Sequence, residues 1–405
     1  MTKITTDENL IEKFLTRGVE RIYPSVDALR QKLMSGERLR VYQGFDPTGP
    51  YLHVGHAIGI RALRILQELG HEVIFLVGDY TAKVGDPDKD TTRAILSDAI
   101  IKKNMAGWKK QAAQLIDFTG KNPVRFERNY TWLSKLKPED VIRLLSQMTL
   151  QQTLARSLFK KRLDEDEEIY LQELLYPLMQ GYDSVAMKVD IEIGGADQTF
   201  NMLVGRDLCK SYLEKEKFVR THKMMDAPDG RTMSKTKGNG INLGDSAEDM
   251  YGKAMSYPDS AIASGLELLT DISMAVIKEI GNSLTRGENP MQYKKMMAFE
   301  IVKTIKGKAA AQKAQAYFAN TVQKKETPSE ITNYELRITN INIVDLLVEV
   351  KLAASKSEAR RLIEQGGIKV DGEVVKDVNK IIEITKDGVL IQRGKRQFVK
   401  IFAKK

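Results

Sequence analysis

The sequence is sparing with the residues that staple or span. One cysteine, Cys209, occurs in 405 residues, so no disulfide can close within the chain, and that usage suits a reducing, cytoplasmic setting. Histidine is nearly as scarce, at four. With no CxxC pair and no HExxH motif, a protein-built metal centre is not expected. No apolar run approaches the roughly 18 residues that a membrane span requires. The opening MTKITTDENL lacks the pattern of a signal peptide. GxxxxGK[ST] and GxGxxG are both absent, so neither a P-loop nor a dinucleotide fingerprint accounts for a nucleotide site.

What is present is globular. Apolar residues make up 42% and charged residues 29%, and the length points to two or three domains. A formal charge of +9 and a pI near 9.2 suit a polyanionic partner. Residues 341–405 hold 14 Lys/Arg against 9 Asp/Glu, so +5 of the excess lies in this last segment.

Residues 5–37 read as a helical lead-in, with Leu10, Ile11, Phe14, Val19 and Ile22 at mixed three and four spacing. LRVYQGF (39–45) reads as a strand stopped by Asp46-Pro47. His53 to Leu69 reads as a helix with Gly70 as its stop. EVIFLVGDY (72–80) is the near-continuous apolar run of a strand covered on both faces. VDIEIGGADQTFNMLVGRDL (189–208) repeats strand, glycine turn and helix. This alternation predicts an α/β fold with a Rossmann-like parallel sheet. From about 244 to 322 the pattern turns helical, and the polar stretch 324–340 reads as a linker.

The densest signal is YQGFDPTGPYLHVGH (42–56), which holds His53 and His56 one turn apart. Both stand at a helix start, after a glycine-rich turn, at the end of a strand. In an open parallel sheet that is the ligand crevice. A helix N-terminus offers free N–H groups and a partial positive charge, which suits phosphate. Histidine there adds donors that meet charge as it develops. Gly55 and Gly59 would let a planar ring approach the backbone. As metal ligands the two histidines would lack a convincing third partner.

His53-Val54-Gly55-His56 resembles the first signature of class I aminoacyl-tRNA synthetases, and TMSKTKGN (232–239) resembles the second, a mobile loop bearing a lysine. Thr232 stands where the commonest motif has its first lysine, and Arg231 precedes it. YQGFDPT (42–48), YPLMQGYD (176–183) and GGADQTFN (194–201) resemble the pocket segments of tyrosyl-tRNA synthetases, a resemblance that runs from about residue 5 to the C-terminus. It implies L-tyrosine, ATP with Mg²⁺ and tRNA(Tyr) as substrates, and a homodimer with its interface around 128–165. It also implies a catalytic domain over 1–228 with an insertion near 128–188. A signature loop and an α-helical anticodon-side domain would fill 229–323, and a small α+β RNA-binding domain 341–405. Tryptophanyl-tRNA synthetase and a non-catalytic RNA-binding relative are the alternatives.

By the same resemblance, Tyr42 and Asp183 face the phenolic hydroxyl of tyrosine. Asp86, Tyr176 and Gln180 hold its ammonium, with Gln198 near its ring or carboxylate. Gly55, Gly195 and Asp197 attend the adenylate, with Gln198 near it, and Asp46 contacts the adenylate or the substrate amine. His53, His56 and Lys235 stabilise the phosphates, with Lys89, Arg93 and Arg231 as further phosphate candidates. On residue types alone, Tyr176, Gln180 and Asp183 share one helix face at i, i+4 and i+7. A buried site that hydrogen-bonds a substrate hydroxyl rejects the analogue lacking it, because its own polar groups are left unpaired. The tail resembles a small ribosomal-protein-type RNA-binding module. There, Lys356, Arg360, Arg361 and Lys369 would contact phosphates, and Asp371-Gly372 would turn a hairpin.

Overall fold

The computed structural model describes residues 3–86, 95–155, 157–227, 240–323, 332–394 and 397–404. The chain divides into two compact units, residues 1–245 with 256–306 and residues 246–255 with 307–405.

The first unit is built on a six-stranded sheet. Its strands are β1 (Val19–Tyr23), β2 (Arg40–Phe45), β3 (Glu72–Val77), β4 (Arg125–Arg128), β5 (Ile191–Gly195) and β6 (Phe218–His222), in the order β1-β6-β5-β2-β3-β4. All neighbours run parallel except β1, which pairs antiparallel with β6. The chain steps outward from β2 to β3 and β4 on one side and returns through β5 and β6 on the other. The boundary between β2 and β5 is therefore a topological switch point, where loops diverge and leave a crevice.

Five residues of β3 and all of β5 and β6 are buried, as a parallel sheet covered on both faces requires. Edge strand β4 differs: its RFER sequence is only partly covered, and Arg125 pairs with Glu72 and Glu127 at 2.6 Å each.

The lead-in is not wholly helical. It divides into α1 (Glu8–Thr16), β1 and α2 (Val26–Met34). Only Ile22 of β1 is buried, so the strand exists because β6 offers it a hydrogen-bonding edge, a tertiary effect that overrides local pattern.

Helix α3 (Val54–Glu68) follows β2 and presses Val54, Ile58, Leu63 and Leu66 into the core. Leu63 is fully buried. Its replacement by alanine would cost about 2–5 kcal/mol and loosen the seat of the helix that carries both histidines. Gly59 does not open toward a ligand as expected. A Cβ there would lie 2.0 Å from Gln43 Oε1, so the glycine serves close packing of α3 on β2. Helices α4 (Leu171–Met187) and α5 (Thr199–Leu213) flank β5.

In the second unit, α6 (Ala247–Ala254) packs against α7 (Lys308–Phe318). The C-terminal part is a small α+β fold. Its strands are β7 (Thr332–Leu336), β8 (Asn340–Asn342), β9 (Ile368–Val370), β10 (Glu373–Val374), β11 (Ile381–Glu383), β12 (Val389–Arg393) and β13 (Gln397–Ala403). Five form a sheet ordered β10-β9-β12-β13-β7. Helices α8 (Ile343–Glu349) and α9 (Lys356–Glu364) close a core of Leu346, Leu347, Ile363, Ile391 and Ile401. Ser355 caps α9, accepting from Glu358 N at 3.2 Å. The hairpin turns at Asp371 and Gly372, whose φ values of 49° and 91° are left-handed. The expected linker is shorter than 324–340, because Thr332–Leu336 is an edge strand paired with β13. Its partner lies at the far end of the tail, so no local signal marks it.

Candidate active site

The crevice above β2 and β5 gathers carboxylates. Asp46, one residue beyond β2, accepts from Thr81 Oγ1 at 2.7 Å and from the Tyr176 hydroxyl at 2.9 Å. Gly78 makes that seat possible: a Cβ there would stand 2.0 Å from Asp46 Oδ1 and 2.4 Å from Thr81 Oγ1. Asp86 accepts from Gln198 Nε2 at 3.0 Å. Burial first, then the charges of Asp46 and Asp86, push the Tyr176 phenol well above its usual pKa. A pocket with several carboxylates and a phenol attracts a cation.

Deeper in, Asp183 is 2% exposed. It accepts from Trp132 Nε1 at 2.7 Å and from Asn129 Nδ2 at 3.1 Å. Burial raises its pKa well above the usual carboxylate range, and the two donors pull the other way. Tyr42, on β2, is also fully buried, and its hydroxyl meets Ser184 Oγ at 2.8 Å. Burial, then the charges of Glu192 and Asp183, hold the Tyr42 phenol protonated well past its usual range. Gln180 Nε2 donates to Glu192 Oε1 at 3.1 Å. Asp183 thus stands close enough to act electrostatically on both Tyr42 and Tyr176.

At the other side of the crevice, His53 caps α3 and His56 sits on its first turn. The His53 backbone N–H donates to His56 Nδ1 at 3.0 Å, which places the proton of neutral His56 on Nε2 as a donor. The two rings lie 3.7 Å apart between centroids. Both are half-buried, as is Gly55. Gly195 ends β5, and Asp197 in the turn Ala196–Gln198 is exposed at the mouth.

The predicted residues of the first unit therefore gather around the central strands β2 and β5: Tyr42, Asp46, Asp86, Tyr176, Gln180, Asp183 and Gln198 by contact or charge, with His53, His56, Gly195 and Asp197 beyond the C-terminal ends of these strands. Lys235, Arg231, Lys89 and Arg93 lie outside the described residues. The chain resumes at Gly240, and there it is pinned to the first signature: Val54 N donates to Ile241 O at 2.9 Å, and Leu243 N to Leu52 O at 2.7 Å. Sequence reasoning missed Asn129, Trp132, Thr81, Ser184, Glu192 and Lys217. For Glu192 a signal existed, since a carboxylate inside a fully covered strand demands a partner.

On the C-terminal fold, Lys356, Arg360 and Arg361 are exposed on α9, and Lys369 is half-exposed on β9. Lys356 also pairs with Asp345 at 2.7 Å. No described helix is long and apolar enough to cross a membrane. Among the described residues no three His, Cys, Asp or Glu side chains gather as a metal site.

Residues 34–323 match the family model of class I tRNA synthetases (W and Y), and the chain belongs to that family. Residues 323–401 match the C-terminal domain of tyrosine–tRNA ligases. The branch is accordingly the tyrosine one. The chain is 40% identical over 399 residues to the tyrosine–tRNA ligase of Dehalococcoides mccartyi, covering 97% of this chain and 98% of the relative. It is 41% identical over 393 residues to that of Thermotoga maritima, covering 96% of each. Among solved structures, a C-terminally truncated mitochondrial tyrosyl-tRNA synthetase from Coccidioides posadasii superposes with a TM-score of 0.60 at 25% identity, covering 76% of this chain and 90% of that one. The tryptophan and non-catalytic alternatives are not favoured by these matches.

Proposed function

We propose that the protein activates L-tyrosine with MgATP to tyrosyl-adenylate and pyrophosphate, then transfers the tyrosyl group to the 3′-terminal adenosine of tRNA(Tyr). The observation that carries this reading is the juxtaposition of a carboxylate-lined pocket, around Asp46, Tyr176 and Asp86, with a helix N-terminus bearing His53 and His56. The substrate ammonium takes the acidic end and its phenol reaches Tyr42 and Asp183. Its carboxylate is thereby aimed at the α-phosphate of ATP.

Attack by a carboxylate oxygen forms the bond to phosphorus as the bond to pyrophosphate breaks, and no protein nucleophile is needed. Catalysis is positioning plus charge stabilisation. The His56 Nε2–H and the positive end of the α3 dipole face the charge that builds on the phosphates. Asp197 takes the ribose hydroxyls, with Gly195 beside the adenosine. Lys235 adds its ammonium to the β- and γ-phosphates, and Mg²⁺ arrives with ATP rather than in a protein cage. Lys356, Arg360, Arg361 and Lys369 meet tRNA phosphates, adding affinity without reading sequence.

A homodimer fits the apolar residues left exposed between 128 and 165, chiefly Ile142 (67%), Leu150 (55%) and Leu163 (54%). A cytoplasmic location suits these substrates. The test is ATP–pyrophosphate exchange with purified protein. Exchange that depends on tyrosine supports the proposal; preferential tryptophan-dependent exchange, or none with either amino acid, overturns it. Lys235→Ala should slow adenylate formation and leave tyrosine affinity nearly intact, and equal losses in both would remove Lys235 from the phosphate role.

A further inference from the structure

Beneath the tyrosine end of the site lies an ion pair that recognition of tyrosine does not directly require. Lys217, just before β6, pairs with Glu192 of β5, and their side chains are 0% and 2% exposed. Lys217 Nζ also donates to Ser184 Oγ at 2.8 Å. Ser184 Oγ in turn meets the Tyr42 hydroxyl at 2.8 Å and Glu192 Oε2 at 3.3 Å. The other carboxylate oxygen of Glu192 accepts from Gln180 Nε2 at 3.1 Å. One charge pair thus supports two side chains assigned to tyrosine.

Stability does not account for it. Taking two charges out of water is costly, and well-packed apolar residues often serve a core as well or better. The fold nevertheless makes room for this lysine. A Cβ on Gly205 of α5 would lie 2.5 Å from Lys217 Nζ, 3.1 Å from Ser184 Oγ and 3.2 Å from the Cα of Gly181 on α4. The two helices approach closely there, and the ammonium occupies the space they leave. An ammonium can only donate and a carboxylate can only accept. Together they remove the freedom of the Ser184 hydroxyl to rotate and of the Gln180 amide to turn.

We propose that the Lys217–Glu192 pair is a positioning element for tyrosine recognition, fixing the Tyr42 hydroxyl through Ser184 and the Gln180 amide directly. The inference rests on reading this pocket as the tyrosine site. Lys217 and Glu192 act through their neighbours and do not touch substrate.

The test is pyrophosphate exchange by the full chain with tyrosine and with phenylalanine. Lys217→Met combined with Glu192→Gln removes both charges at similar volume, so no lone charge stays buried. The KM for tyrosine should rise roughly tenfold, with the KM for ATP held within about twofold, and the preference for tyrosine over phenylalanine should fall by a similar factor. Ser184→Ala, which keeps the ion pair, should show the same split. Combined with the double change it should add less than the product of the separate effects. Equal rises in both KM values, full additivity, or an unchanged tyrosine KM would each overturn the proposal. Where the double variant does not fold, the split in Ser184→Ala decides alone in the same two directions. Absence of tyrosine-dependent exchange in the unaltered protein counts against the proposed function instead.

Discussion

The two ends of the crevice are made differently. At the phenol end, Tyr42, Asp183, Ser184, Glu192 and Lys217 are all buried, and each is held by hydrogen bonds to neighbours on other elements. At the phosphate end, His53 and His56 are half-buried on the first turn of a helix. A site that must distinguish one hydroxyl gains from groups that cannot adjust, because an unmatched ligand then leaves them unpaired. A site that must follow charge through a reaction gains from donors near the surface, free to shorten their bonds as the transition state forms. On the proposed reading, selection and chemistry are thus separated in space within one pocket.

Substitutions at the two ends should therefore fail in different ways. The largest effect is expected at the phosphate end. His56→Ala should lower the rate of adenylate formation by roughly 10²- to 10³-fold, the loss seen when one fixed donor to a developing oxyanion is removed. Equilibrium dialysis should find tyrosine affinity unchanged, and a parallel loss of affinity would break the division.

Next in size is an effect of acid on the strand beneath the mouth. His222 pairs in register with Gly195 and is 4% exposed. Its ring bonds the Lys223 carbonyl through Nδ1 at 3.0 Å, while its Nε2 is buried without a partner. Burial lowers its pKa from 6.5 to about 4. The unfolded chain therefore takes up this proton first as the pH falls. The contribution of His222 to stability is complete above about pH 6.5 and is lost toward pH 4, in total about 3 kcal/mol. Urea unfolding across that range should reveal the loss, and His222→Asn should flatten it. An unchanged acid limb in the variant would assign the loss to other groups.

At the phenol end, Asp183→Ala removes the acceptor of the buried Asn129 amide and of the half-buried Trp132 indole. Discrimination between tyrosine and phenylalanine should fall roughly 10- to 100-fold. Intact selectivity would take Asp183 out of recognition. The smallest effect belongs to the C-terminal fold. Arg360→Ala should weaken tRNA binding a few-fold and lower the salt slope by about one, with pyrophosphate exchange untouched.

Much of this was legible beforehand where local pattern and tertiary role coincide. β2, α3, β3 and the turn from β5 into α5 each carry their own punctuation of apolar run, glycine and cap. β1 and β7 do not. Both are five-residue strands, mostly exposed or half-exposed, whose existence depends on a partner far along the chain. The site divides in the same way. Tyr176, Gln180 and Asp183 are periodic on one helix, so their shared face could be read. Asn129 and Trp132 reach the pocket from the short helix after β4, and Lys217 from just before β6, and no spacing links them to it. Gly59 shows the converse, since a glycine near a motif serves packing against Gln43.

The charged margin at β4 has a consequence for assembly. Arg125 is clasped by Glu72 and Glu127, and Arg128 grips Asp79 at 2.6 Å. A further parallel strand could not dock along this border without breaking those clasps and stripping water from their charges. Growth of the sheet from one molecule into the next is therefore opposed on this side.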